Sequence, residues 1–409
     1  MVIVGAGAAG LATAIFLRRA NPTRSVVLRD GARKPGAKIL VSGGTRCNVT
    51  NRVVSERDFW GGRPAIVRRI LRAFSPDDTV ALFRRLGVTL CEEADGKLFP
   101  VSGRARDVLN ALLEEIDAAG VHLLADHRVL DVARTDAGFR VQTVRGTIHC
   151  RLVVLATGGQ SLPKTGSDGV GLELARTLGL TIVPTTPALA PLLLDDAHRV
   201  AIHRGLSGVS QDVELAVWVD GSVATRLQGS LLWTHFGISG PVSLNASRHW
   251  LRARLEGRLV QLTVNFRPGA TFESGEARWK ATALGRPKVS VLTAVSEGLP
   301  ASVSGALLER LDIDPRRQLA HLTHAERRRL VRAHIEWPLP VTGCRGYNWA
   351  EATAGGVALN EIDPATLESR TCKRLYLVGE MLDVDGRIGG FNFQWAWSTA
   401  YVAARALAQ

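Results

Sequence analysis

The stretch "VIVGAGAAGLATAIFLRR", from Val2 to Arg19, restricts the fold of this chain more than any other. A short β-branched run leads into Gly5-x-Gly7-x-x-Gly10, and a helical pattern follows. Each glycine in such a unit has its own task. Gly5 permits the tight turn, Gly7 lets the backbone approach a pyrophosphate, and Gly10 lets helix and strand pack closely. Ala8 and Ala9 fall in the opening turn of the helix, where free N–H groups and the positive dipole end face phosphate. A second strand, "SVVLRD", ends at Asp30, where a carboxylate would hold ribose hydroxyls. Strand, glycines, helix, strand and acid in this order predict dinucleotide binding.

Three features bear on the choice between NAD and FAD. No run of further βα repeats follows, as a full NAD-type domain requires. Residues 122–159 read instead as strands, "VHLLADHRVLDVA", "FRVQTV" and "TIHCRLVVLATGG", a β-meander feeding Ala156-Thr157-Gly158-Gly159. The carboxy-terminal "RLYLVGEMLDVDGRIGGFNFQWAWS" is an apolar strand into Gly379-Glu380, further acids at Asp383 and Asp385, a Gly389-Gly390 turn, and a helix from near Phe391-Asn392. The "DVDG" segment fails the spacing of a calcium loop, and no metal site is expected.

The bulk composition excludes several classes. A chain of 409 residues with 46% hydrophobic content can fill two or three domain cores. Its five cysteines are odd in number and form no C-x-x-C pair, which argues against a disulfide scaffold, a zinc cluster or a dithiol centre and favours a reducing, cytoplasmic compartment. The apolar amino terminus lacks the basic region of a signal peptide. No run reaches the length of a membrane span, so a soluble protein without a membrane partner is expected. The net charge of +13 suits a polyanion such as RNA, but no RRM, KH or zinc-finger signature accompanies it. Solvated arginine-rich helix faces, as at "RRILR" and "ERRRLVR", are the preferred reading.

The middle of the chain changes pattern. Prolines at 184, 187 and 191 mark a boundary. "DVELAVWVDGSVATRLQ" reads as a hairpin turning at Asp220-Gly221, "RLVQLTVNF" as a strand, and "SVSGALLERL" and "THAERRRLVRAHIEW" as helices, the latter opening on a Thr323-x-x-Glu326 capping box. The expected organisation is an FAD-binding domain over 1–186 and 341–409, interrupted at 187–340 by an inserted substrate or cap domain, β-rich to 268 and helical from 269. His235, in "WTHFGISGP", is the candidate proton-exchanging residue of that insertion. Trp233, Trp349 and Trp395 are candidates either for stacking or for the core.

The segments "GAGAAGL", "KILVSGGTRCNVTN", "ATGGQSLPKTGSDGVGLELA", "LLWTHFGISGPVSLNAS", "AGGVALNEID" and "LVGEMLDVDGRIGGFNFQWAWS" span almost the whole chain. Together they resemble the HI0933-like, or BaiN-like, family of bacterial NAD(P)/FAD-dependent oxidoreductases, two-dinucleotide-fold flavoproteins. The chain departs from the family pattern at Thr45, where the loop often has Gly, at Arg387-Ile388, and at Phe391. The resemblance implies an α/β fold with a Rossmann-like FAD-binding domain of the GR2 type, interrupted by a mainly-β domain with a helical subdomain. It also implies that the loop after Asp30 runs along the pyrophosphate toward the flavin ring. Ser42, Gly43 and Gly44 would then allow close backbone approach. Lys38 or Arg46 would offer charge to phosphate, and Asn48 a donor or acceptor near the ring. Cys47, with no activating neighbour in sequence, reads as a packing or flavin-lining residue. Glu380, Asp383 or Asp385 would serve the ribityl chain, and the Gly389-Gly390 turn would present N–H groups to the N1/O2 edge of the flavin.

The expected function is hydride transfer between FAD and a small organic substrate. NAD(P)H is a possible donor, although no second fingerprint marks a site for it. An FAD-dependent RNA-modifying enzyme and a non-catalytic FAD-holding redox module are the alternatives.

Overall fold

The computed structural model describes residues 1–409. They fall into two compact units, one of Met1–Pro187 with Tyr347–Gln409 and one of Ala188–Gly346. Each has its own closed hydrophobic core. No helix is long and apolar enough to cross a membrane.

The first unit is built on a five-stranded parallel sheet. Its order is Leu375–Leu377, Val153–Leu155, Val2–Val4, Val27–Arg29 and His122–Leu124. Strands buried on both faces need continuous apolar runs, and "VIV", "VVL" and "LYL" supply them, with every residue buried. The helix Ala8–Ala20 packs against the carboxy-terminal helix Phe391–Ala408. The chain's last element thus returns to its first, and Asn21 donates to the Ala408 carbonyl at 3.1 Å.

The β-meander differs from the sequence expectation in one respect. "VHLLADHRVLDVA" and "TIHCRLVVLATGG" each break in two. His122–Leu124 and Val153–Leu155 join the parallel sheet, whereas Val129–Thr135, Gly138–Thr143 and Gly146–Cys150 form a separate antiparallel sheet. Both layers use short apolar runs, so local pattern does not show where one ends.

The second unit carries a seven-stranded sheet and a helical part. The sheet order is Trp337–Leu339, Val260–Asn265, Ser210–Val219, Ser222–Thr234, Gly237–Ser239, Leu192–Leu194 and Val341–Cys344. The hairpin turns at Asp220 and Gly221, both at positive φ of 50° and 80°, as a two-residue turn matched to strand twist demands. Helices Phe272–Gly285, Val291–Val295, Ala301–Arg310 and His324–Ile335 follow the strand Val260–Asn265. The Thr323–Glu326 capping box forms. Val341–Cys344 pairs with Leu192–Leu194, so this unit runs on to Gly346 and not to 340.

Candidate functional site

The glycine loop shows why each glycine stands where it does. Gly5 has φ of 101°, and a Cβ there would lie 2.5 Å from the Ala156 carbonyl oxygen. A Cβ on Gly10 would lie 1.9 Å from the Gly5 oxygen, so helix and strand meet backbone to backbone. Gly7 differs from both, because a Cβ there meets nothing within 4 Å. Its face is open, as approach by a pyrophosphate requires. Ala9 is buried, and a Cβ on Gly379 would lie 2.8 Å from the Ala9 methyl. The amino-terminal and carboxy-terminal motifs therefore meet at the same turn.

Asp30 organises this loop. One carboxylate oxygen accepts from the Ala6 N–H at 2.6 Å and the other from the Ala32 N–H at 2.7 Å. Each oxygen keeps a lone pair for a ribose hydroxyl.

The segment from Lys38 to Asn48 begins as a helix and then breaks. Ser42 is extended, and Gly43, Gly44, Thr45 and Cys47 take positive φ of 55°, 65°, 70° and 61°. A non-glycine residue pays about 1–2 kcal/mol for that conformation, so Thr45 occupies a position better suited to Gly. Such strain clusters at ligand-binding turns. Asn48 is only 8% exposed, and its Oδ1 has no hydrogen-bond partner in the protein. A buried acceptor left bare costs about 1–3 kcal/mol, and a ligand donor would satisfy it.

Several side chains expected at the cofactor are engaged elsewhere. The Arg46 guanidinium forms a two-pronged pair with Glu93 at 2.8 and 3.1 Å and lies 4.1 Å over the Phe99 ring. In this structure its charge is matched by Glu93. The Cys47 side chain is fully buried in the core, and burial pushes its thiol up to about 12 against a smaller opposing hydrogen bond with Ser42. It packs within the core. Asp385 and Phe391 are buried as well. Asn392 clasps its own loop, accepting from the Gly386 N–H at 2.8 Å and donating to the Gly386 carbonyl at 3.0 Å. Trp233 and Trp395 fill the two cores, whereas Trp349 is exposed.

Lys38 and Glu380 are brought together. The ammonium contacts Glu380 Oε2 at 2.5 Å and also donates to Ser161 Oγ. Glu380 Oε1 accepts from Ser161 Oγ at 2.8 Å and from the Thr353 N–H at 3.0 Å. Thr353 Oγ1 accepts from the N–H groups of Gln160 and Ser161 at 2.8 and 3.1 Å. Four segments distant in sequence thus close on one polar cluster. Gly159 is required beside it, since a Cβ there would lie 2.4 Å from Thr353 Oγ1. Sequence reasoning missed Ser161 and Thr353 as members. The Thr353-x-Gly355-Gly356 pattern, which resembles Thr157-Gly158-Gly159, was the available signal.

Around the mid-chain turn, the Ala156 N–H donates to the Val4 carbonyl at 2.8 Å, and Gly158, at φ of 75°, leaves just enough space for Ser167 Oγ. At the carboxy-terminal turn, Gly390 is at φ of 92°, and a Cβ there would lie 2.4 Å from the Thr50 backbone, while Gly389 is at 123°. This approach seats the start of the helix Phe391–Ala408 against the end of the Lys38–Asn51 segment. Gln394 locks the seat by accepting from Thr50 and Thr79 hydroxyls at 2.6 and 2.8 Å and donating to the Phe74 carbonyl at 2.9 Å. His235 belongs to the second unit. It is exposed at the turn between Ser222–Thr234 and Gly237–Ser239, edge-on to Phe236 at 5.1 Å.

The open face of Gly7, the poised Asp30 carboxylate and the bare Asn48 oxygen fit a dinucleotide cofactor. Residues 1–406 match the family model described as the HI0933-like protein Rossmann domain. The chain is 33% identical over 410 residues to a 3-dehydro-bile acid delta(4,6)-reductase of Clostridium scindens, covering 100% of this chain and 98% of that protein. It is 32% identical over 408 residues to a ribosomal RNA dihydrouridine synthase of Escherichia coli, covering 99% and 97%. Among solved structures, an Escherichia coli quinol fumarate reductase aligns with all of this chain and 69% of its own, at 16% identity and a TM-score of 0.51, a likeness of fold. The chain belongs to the HI0933-like family and is an FAD-dependent oxidoreductase.

Proposed function

We propose that this protein is a reductase that saturates a carbon–carbon double bond conjugated with a carbonyl group, with NAD(P)H as the reductant of its flavin. One observation carries the reading. The two reductive activities named for its full-length relatives differ in substrate and share that bond. Dihydrouridine is uridine with its ring double bond saturated beside a carbonyl. A 3-dehydro-delta(4,6) bile acid is a dienone.

Bound FAD supplies the two-electron hydride chemistry. The residues that would hold it are the N–H groups after Gly7, the Asp30 carboxylate, the Ser42–Gly44 backbone and Asn48. Saturating an enone takes a hydride at the β-carbon and a proton at the α-carbon, with negative charge on the carbonyl oxygen in between. The helix Phe391–Ala408 begins at the Gly389-Gly390 turn, and its positive dipole end would favour negative charge held there.

The substrate proposed first is a small organic enone. A uracil within RNA is the second reading, favoured by the two relatives named as ribosomal RNA dihydrouridine synthases and by the charge of +13. Anaerobic titration with NADH and NADPH, followed by cyclohex-2-enone or by ribosomal RNA, tests both. Bleaching of the flavin band, its return on adding enone, and saturated product are expected. Dihydrouridine found by mass spectrometry in the RNA sample alone would select the second reading. A reduced protein that neither acceptor reoxidises would remove the proposed reaction.

A further inference from the structure

The second unit holds a basic cleft that the flavin chemistry does not use. It is a shallow, open recess lined by Arg267, Arg278, Trp279, Thr282 and Ala294, so a bound anion would sit at its mouth. Arg267 follows the strand Val260–Asn265. Arg278 and Thr282 are one turn apart on the helix Phe272–Gly285 and so share a face.

Positive charge is in surplus here. Arg278 and Arg286 share the single Glu297 carboxylate, Arg278 at 3.5 Å. Arg267 reaches only the Glu297 backbone carbonyl. Three guanidinium groups therefore face one carboxylate. Burial is the main cause that lowers the Arg267 pKa, and the neighbouring Arg278 charge lowers it further against the pull of Glu297. A second unsatisfied group lies behind Trp279. His334 is edge-on to that ring at 5.8 Å and only 2% exposed. Its Nδ1 is held by the Leu330 carbonyl at 2.7 Å, and its Nε2 has no partner. The Thr282 hydroxyl already donates to the Arg278 carbonyl at 2.9 Å, so it gives the cleft shape and not a donor.

A partly desolvated cation without its own counter-ion is costly. Guanidinium groups are planar forks matched to the oxygens of phosphate. We propose that this cleft binds one phosphate-type oxyanion between Arg267 and Arg278. Free phosphate and the phosphodiester of an RNA strand offer the same chemistry. The site lies wholly within the second unit and stands independently of the proposed enone reduction.

The test uses the FAD-loaded full-length protein, with inorganic phosphate followed by calorimetry and a single-stranded RNA oligonucleotide followed by anisotropy at several salt concentrations. Saturable phosphate binding is expected, weakened at least about tenfold, or about 1.4 kcal/mol, in Arg278→Gln. Arg267→Gln should do the same. Arg267 is tied to the backbone of residue 297, whereas the half-exposed Arg278 touches Glu297 only at 3.5 Å, so Arg278 is the variant that better separates binding from folding. If Arg278→Gln also weakens RNA binding and lowers its salt slope by about one, the physiological oxyanion is a backbone phosphate. If RNA binding is unchanged while phosphate binding is lost, it is free phosphate. The proposal is overturned if the wild type binds no phosphate and both variants bind RNA as it does, or if phosphate binds equally to all three proteins.

Discussion

Lys38 and Glu380 are 342 residues apart in sequence and form a 2.5 Å ion pair. Both are largely withdrawn from solvent, with side-chain exposures of 26% and 17%. The pair joins the segment after Asp30 to the turn that follows the strand Leu375–Leu377, and Ser161 and Thr353 complete it.

Removing only the cation leaves a half-buried carboxylate facing two neutral donors. Lys38→Met should cost about 1–3 kcal/mol and lower FAD retention. Lys38→Met/Glu380→Gln should recover part of the loss, because the uncompensated charge is gone. Chemical denaturation of the four members of the cycle measures the coupling. Additive losses would show that the pair is not a unit.

Gly7 and Gly10 should respond differently to the same methyl group. Gly10→Ala forces a Cβ onto the Gly5 carbonyl and should destabilise the apoprotein. Gly7→Ala meets open space, so the apoprotein should keep its melting temperature while FAD affinity falls at least about tenfold. Thermal melts of both apoproteins, with flavin binding followed by fluorescence, separate the two effects. Normal FAD affinity in Gly7→Ala would move the pyrophosphate away from this loop.

Cys47 sets an alkaline limit on stability. Its thiol stays protonated in the fold up to about 12, compared with an ordinary value of 9.0. The raised folded pKa gives stability that is full below pH 9 and is lost as pH rises toward 12, at about 1.4 kcal/mol per pH unit. Cys47→Ala should flatten this limb of the stability–pH curve and retain flavin and turnover. Native protein should also alkylate at Cys47 far more slowly than unfolded protein. Fast labelling, or a variant that keeps FAD without turnover, would restore a chemical role.

His334 sets an acid limit in the second unit. Burial is the first cause that holds it at about 4, with the Arg267 and Arg278 charges adding to it and the Leu330 carbonyl opposing. An unfolded histidine takes up its proton near 6.5. This stability is therefore present above pH 6.5 and disappears as pH falls through 4. His334→Phe should remove that dependence. Denaturation followed by the fluorescence of the second unit's tryptophans between pH 7 and 4 is the measurement, and an unchanged slope would contradict it.

The cofactor fold was legible from local rules. The glycine spacing, the acid closing the second strand, the mid-chain Thr157-Gly158-Gly159 turn and the late Gly389-Gly390 turn rest on backbone sterics that allow few residue types. The hairpin at Asp220-Gly221 and the Thr323–Glu326 capping box are equally local. Side-chain destinations were less legible. Arg46, Cys47, Asp385 and Asn392 have the chemistry to meet a flavin, and their sequence neighbours do not show that Glu93, the core or the chain's own loop claims them first.

The sequence by itself therefore determined the backbone of the cofactor site, because positive φ and close approach are written into glycine. Only the tertiary structure decided which side chains remain free to act. It paired Lys38 with Glu380, left the Asn48 oxygen bare, extended the second unit to Gly346 and gathered Arg267 and Arg278 at one cleft. Those outcomes depend on partners far apart in the chain, whose distances and desolvation no local pattern encodes.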